Sequence, residues 1–210
     1  MSKNDLLATD LYGITAEEYS RGRSNIEVVE EMAAAGLEIV QYRAKNKEMR
    51  TKYKEAKEIR KITKEAGVKL IINDDIALAL SVEADGVHVG QKDMPVLEVR
   101  KLVGPEMIIG LSTHSPQQAQ EAVELGVDYI GVGPIFATQT KEDVCAPVGL
   151  AYLDYVVENI ELPFVAIGGI KEENIAQVSN RGANCIAMVT EIVGAEDIKS
   201  KVKRLRNRLD

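Results

Sequence analysis

The chain is short of almost everything that would point to nucleic-acid, membrane or thiolate-metal chemistry. Its 26 Lys and Arg are outnumbered by 33 Asp and Glu, for a net charge of −7 and a pI near 5.1. A surface of that sign argues against a nucleic-acid partner, because a phosphate backbone is held by a basic face. The two cysteines, Cys145 and Cys185, have no metal-type spacing and read as free thiols of a reducing compartment. No apolar run approaches the length of a membrane span. The opening MSKNDLLATD has neither a hydrophobic signal core nor an Arg-rich amphipathic pattern, so a cytoplasmic location is expected. Linkers and low-complexity tracts are also missing, and 210 residues suffice for one well-buried core, so a single domain over 1–210 is expected.

What is present repeats. A helical pattern, a glycine and then an apolar run recur as AAAGLEIV at 33–40, KEAGVKLI at 64–71, VELGVDYI at 123–130 and SNRGANCI at 179–186. In each, the glycine (Gly36, Gly67, Gly126 or Gly182) stands where a helix closes in a left-handed residue, and a strand is expected two residues later. Eight apolar runs end near Thr15, Arg43, Asn73, His88, Ser112, Gly133, Ile167 and Val189. Helical patterns separate most of them. Ser24-Asn25-Ile26-Glu27 is a capping box, a long charged helix spans about Glu48 to Ala66, and Ser115-Pro116 opens another. The last helix follows from the spacing of Ile198, Val202 and Leu205. Eight strands alternating with helices predict an α/β fold, a compact single-domain (β/α)8 TIM barrel. An open doubly wound sheet is the rival, but no G-x-G-x-x-G follows the first strand.

In such a barrel chemistry collects at the carboxyl ends of the strands. After the second run come Gln41, Arg43 and Lys45, whose cations alternate onto one side of an extended segment and can address one polyanion; solvated surface cations are the plainer reading. After the third come Asn73, Asp74 and Asp75, one aspartate serving as a helix N-cap and the other left without a structural task. Asp93 follows the fourth run, so Asp74 and Asp93 come from neighbouring strands. Two carboxylates without a histidine–cysteine set suit Mg²⁺. Ser112 ends the fifth run, but G-x-S-x-H is not a nucleophile elbow, and neither His88 nor His114 reads as its base. The sixth run, ended by Gly133-Pro134, leads into a loop bearing Thr138, Gln139, Thr140 and Lys141, hydroxyls and a cation suited to phosphate oxygens. Gly168-Gly169 after the seventh run and Val189-Thr190 after the eighth offer backbone N–H groups where these barrels commonly hold phosphate. Two anionic sites and a metal imply two phosphorylated substrates.

QYRAK, IND, ADGVHVGQKD, GLSTH, DYIGVGPIFATQTK, PVGL and PFVAIGGI, in this order and spacing, resemble the thiamine-phosphate synthase family over nearly the whole chain. The resemblance implies transfer of a hydroxymethylpyrimidine from its diphosphate to a (carboxy)thiazole phosphate, giving thiamine phosphate and diphosphate with Mg²⁺ as cofactor. It implies that Gln41, Arg43, Lys45, Asn73, Ser112 and Lys141 bind the pyrimidine diphosphate, with Lys141, Arg43 and Ser112 the catalytic contacts. Asp74 and Asp93 would hold the metal, and Thr138, Gln139, Thr140, Gly169, Val189 and Thr190 the thiazole phosphate. The sequence departs from the family pattern at Ala137, where many members have proline, and at Thr190, where many have serine. Two rival readings are a thiazole tautomerase with the same barrel and a non-catalytic barrel that binds a phosphometabolite. The full set of cations and carboxylates favours the synthase. Small molecules are the expected partners, and a homo-oligomer is compatible with the sequence.

Overall fold

The structure is a computed structural model that describes residues 9–138 and 145–209. Eight parallel strands close on themselves in chain order. They are β1 (Leu11–Ile14), β2 (Ile39–Tyr42), β3 (Lys69–Asn73), β4 (Gly86–Val89), β5 (Ile108–Thr113), β6 (Tyr129–Val132), β7 (Phe164–Ile167) and β8 (Ile186–Ala187). The helices are α1 (Asn25–Ala34), α2 (Met49–Ala66), α3 (Ile76–Ser81), α4 (Val96–Val103), α5 (Pro116–Glu124), α6 (Gly149–Asn159), α7 (Ile175–Ser179), α8 (Thr190–Val193) and α9 (Ile198–Arg206), with a 3-10 turn at Glu17–Tyr19. The barrel expected from the repeat is therefore the one observed.

Local chemistry sets the element ends. Ser24 accepts from the Glu27 N–H while Glu27 returns a bond to the Ser24 N–H, which satisfies two donors that the first turn of α1 would leave free. The glycines Gly36, Gly67, Gly126 and Gly182 all have positive φ, between 68° and 96°. The strands after them begin two to four residues on rather than uniformly two, as at Gly67 to Lys69 and Gly182 to Ile186. The connection must cross from the helix layer to the barrel wall, and that gap varies from unit to unit.

Strand alternation divides the apolar residues into two cores. Leu11, Val40, Leu70, Ile72, Val87, Ile109 and Ile130 face the helices, whereas Tyr12, Ile14, Ile39, Ile71, Ile108, Tyr129, Val165 and Cys185 fill the barrel interior. Each fully buried Leu or Ile contributes roughly 1.5–3 kcal/mol. The amino ends of the strands are tied by a device used three times. Asp10, Asp85 and Asp128 each precede a strand, and each receives an arginine: Arg206 from α9, Arg60 from α2 and Arg100 from α4, at 2.6–2.7 Å. Asp85 and Asp128 also accept the Leu70 and Ile109 N–H groups of the neighbouring strands. No helix among the described residues is long and apolar enough to cross a membrane.

Candidate active site

The carboxyl ends of β2 to β5 gather the charged candidates. Thr15 at the end of β1 fixes the Arg43 backbone reciprocally: Thr15 Oγ1 donates to the Arg43 carbonyl at 3.0 Å and accepts the Arg43 N–H at 2.8 Å. The Arg43 side chain is only 10% exposed, yet its one ion pair among the described residues is a long one, 3.9 Å to Glu18. Its buried Nε has no hydrogen-bond partner among the described residues. A desolvated guanidinium with a donor to spare is costly unless an anion completes it. Lys45 Nζ lies 3.5 Å from Asp74 Oδ2.

Asp75, not Asp74, caps α3, accepting the Leu78 N–H at 3.0 Å. That frees Asp74, which sits at φ 61°, a left-handed conformation unfavourable for a non-glycine residue, with its N–H donated to the His88 carbonyl. On the next strand end, Asp93 folds back so that its carboxylate accepts the Gly90 N–H at 2.7 Å. Burial and the facing Asp93 charge push the Asp74 carboxyl above its usual range, while Lys45 and the Asn73 side chain pull it back. Two facing carboxylates, hard oxygen donors with no nitrogen or sulfur ligand beside them, fit a magnesium ion that completes its shell with water and substrate phosphate. Among the described residues no group of three or more His, Cys, Asp or Glu side chains could hold a metal. A pair of carboxylates is therefore the most these residues supply.

Below this rim a polar chain crosses the barrel interior. Gln41 Nε2 donates to the Tyr12 hydroxyl at 3.0 Å, and the Tyr12 and Tyr129 hydroxyls are 2.9 Å apart. Tyr129 then meets His88 Nδ1 at 3.0 Å, and His88 Nε2 meets Ser112 Oγ at 2.9 Å. Glycines make room for it. A Cβ on Gly110 would lie 2.2 Å from the Tyr129 ring and 2.5 Å from His88 Nδ1. Burial holds both phenols well above their ordinary pKa, so both hydroxyls stay protonated. Ser112 thus has a histidine neighbour, but the third group is a neutral phenol, which cannot stabilise an imidazolium as a carboxylate would. The arrangement orients Ser112 rather than making it a nucleophile. Gln41 is 4% exposed and lies at the floor, beneath the cations rather than among them.

On the far side, Gly168 and Gly169 carry φ of 100° and 62°. A Cβ on Gly169 would strike the Ala137 carbonyl oxygen at 2.5 Å and Phe136 at 2.8 Å. The loop after β6 therefore lies directly on the glycine pair, which brings Thr138 toward the β7 end. Val189 and Thr190 begin α8 beside it. Gln139, Thr140 and Lys141 lie outside the described residues. His114 ties strand ends together through its Nδ1, 2.6 Å from the Gly133 carbonyl. Cys145 and Cys185 are both free, one exposed and one buried in the barrel.

Sequence reading alone missed Tyr12, Tyr129 and the part played by His88. Each stands at an inward position of its strand, and a polar-tipped ring there needs a partner; that is the signal that would have found them.

A closed barrel with buried charge, facing carboxylates and glycine loops collected at one end of its strands defines an enzyme of the (β/α)8 class. A family model described as thiamine monophosphate synthase matches residues 11–192, and the chain belongs to that family. It is 68% identical over 201 residues to a thiamine-phosphate synthase of Pelotomaculum thermopropionicum, covering 96% of this chain and 92% of that one. To the thiamine-phosphate synthase of Lawsonia intracellularis it is 53% identical, covering 97% and 94%. The solved thiamine phosphate pyrophosphorylase from Pyrococcus furiosus superposes with a TM-score of 0.88 at 34% identity, covering 97% of this chain and 96% of that one. A 3-hexulose-6-phosphate synthase at 19% identity and a TM-score of 0.69 shows the shared fold alone.

Proposed function

We propose that the chain is a Mg²⁺-dependent thiamine-phosphate synthase that transfers a hydroxymethylpyrimidine from its diphosphate to a thiazole phosphate and releases diphosphate. The observation that carries the reading is the buried Arg43 guanidinium with an unpartnered Nε, at the same end of the barrel as the facing Asp74 and Asp93 carboxylates. A buried guanidinium with a spare donor and two facing carboxylates, with Lys45 as a close cation to Asp74, suit a metal diphosphate.

In this reading the diphosphate lies across Arg43, Lys45, Asn73, Ser112 and Lys141, with the pyrimidine ring toward Gln41 at the floor. Asp74 and Asp93 would hold Mg²⁺, which, when bound, supplies positive charge to the diphosphate oxygens. The bond between the pyrimidine CH₂ and the diphosphate oxygen breaks with its electron pair leaving on the diphosphate. Arg43 and Lys141 offset that growing charge, and the aminopyrimidine ring delocalises the cation left at CH₂. The thiazole nitrogen then donates its lone pair to form the new C–N bond. Ser112 assists as a donor. Of the two proton orders the interior chain allows, the one running Tyr12 to Tyr129 to His88 Nδ1 leaves His88 Nε2–H on Ser112 Oγ. The serine proton is then free for the departing oxygen. Thr138, Gln139, Thr140, Gly169, Val189 and Thr190 would hold the thiazole phosphate across the mouth, which leaves the protein mainly a task of alignment.

The test is to mix purified protein, Mg²⁺, pyrimidine diphosphate and thiazole phosphate and measure thiamine phosphate and diphosphate. Lys141→Ala should slow that reaction by about thirty- to a thousandfold, the worth of one contact to a developing anion. A tautomerase would leave thiazole isomerisation intact in that variant and make no thiamine phosphate with or without it.

A further inference from the structure

The thiazole-phosphate half of the mouth raises an electrostatic difficulty. Glu172 lies three residues beyond Gly169, and Glu191 directly follows Thr190, so two carboxylates flank the segments assigned to a dianion. Both are engaged by one lysine from the last helix. Lys201 Nζ lies 3.0 Å from Glu172 Oε2 and 3.0 Å from Glu191 Oε2, with a side chain only 16% exposed. Glu191 also accepts the Glu172 N–H at 3.4 Å, and Arg204 approaches Glu172 at 3.5 Å.

We propose that Lys201 is a positioning residue for the thiazole phosphate: by bridging Glu172 and Glu191 it joins the loop after β7 to α8 and offsets part of the negative charge those carboxylates place beside the phosphate. The proposal rests on the synthase reading above, whose site assignments place no role on Lys201. Its apolar neighbours Ile198, Val202 and Leu205 bury α9 in the outer core, so Lys201 projects from a fixed platform.

Two further observations support it. At four residues, α8 is too short to hold itself in place, since an isolated turn is unfavourable to nucleate. It is seated from its other end by Arg23, whose Nη2 donates to the Val193 and Ala195 carbonyls at 2.7 Å each. Lys201 completes the second attachment, and it is the one that reaches the ligand side. The protonation equilibria agree. Burial alone would lower the Lys201 pKa, but bonds to Glu191 and Glu172 outweigh it and raise it, while Lys201 holds Glu172 below the carboxylate range.

Steady-state kinetics on the full chain, varying each substrate separately, tests this. Lys201→Met should raise the thiazole phosphate KM five- to fiftyfold, with kcat and the pyrimidine diphosphate KM within twofold of wild type. Lys201→Arg should restore the wild-type KM, because it keeps both ion pairs. Adding Glu191→Gln to Lys201→Met should recover part of the loss by removing a charge that was set free. If Lys201→Met does not fold, Lys201→Gln reads the same split. A rise shared equally by both substrates would show a merely structural lysine, and an unchanged thiazole phosphate KM would leave the synthase reading standing while overturning the role of Lys201. A wild-type protein that makes no thiamine phosphate overturns both.

Discussion

The two ends of the barrel use the same side chains in opposite ways. At the amino ends of the strands, every aspartate described above is matched to an arginine. Asp128, 9% exposed at its side chain, takes Arg100 at 2.6 Å and a strand N–H at 2.8 Å. At the carboxyl ends two groups lack that close match. Arg43 is as buried as Asp128 but keeps an idle donor, and Asp74 faces another carboxylate instead of a guanidinium. Identical groups therefore stabilise the fold at one end and are held ready at the other. The difference lies in whether the partner is part of the chain or has to arrive, and it separates stability from function by position along one strand axis.

That contrast can be broken most severely at Arg43. Arg43→Met should reduce turnover by about a hundredfold or more, the usual scale for removing a donor to developing charge, while Tm stays level or rises because an unsatisfied buried donor is gone. Arg43→Lys should recover little, since an ammonium lacks the planar fork. Thermal unfolding and steady-state rates on one preparation check both halves. A loss of Tm matching the loss of rate would place Arg43 with the structural arginines.

The mirror experiment is Arg100→Met at the other end. Breaking a largely buried pair costs about 3–5 kcal/mol, and partial exposure of Arg100 reduces that to roughly 2–3 kcal/mol. Urea unfolding should show the loss, with kcat within twofold of wild type. A large kcat defect in a folded Arg100→Met protein would dissolve the division between the ends.

A smaller effect is expected at Asp93. Asp93→Ala should cut turnover by more than tenfold, with partial rescue at raised Mg²⁺, because Asp74 and the substrate phosphates remain as ligands. Full activity of this variant at low Mg²⁺ would refute the carboxylate pair as the metal site.

The smallest effect sharpens the comparison by sign. Asp74 has its folded pKa raised, so the folded state binds the proton more tightly and stability falls as pH rises from the unfolded pKa through the folded one. Asp74→Asn keeps a residue tolerant of φ 61° and removes the repulsion. In metal-free buffer it should therefore be more stable than wild type near neutral pH, with the gain vanishing in acid. Mg²⁺ should raise the Tm of the wild type and not of the variant. Gly169→Val, by contrast, is a poor probe of phosphate binding, because its side chain would displace the backbone of Phe136 and Ala137 whatever ligand is present.

What the sequence determined by itself is the repeat and its punctuation. Helix caps at Ser24 and Ser115, the left-handed glycines and the period-two apolar runs act within a few residues, so they are written where they act and imply eight βα units. The charged strand ends were legible for the same reason: Arg43, Asp74 and Asp93 each follow their own strand. Only tertiary structure could decide that Asp75 is the cap and Asp74 the strained, facing carboxylate, since both stand before the same helix. Only tertiary structure brings Tyr12 to Tyr129 across 117 positions, or sets Lys201 between Glu172 and Glu191. Those contacts join units that share no local pattern. They exist because closing the barrel makes inward positions of distant strands neighbours, and no periodicity along the chain records which of them will meet.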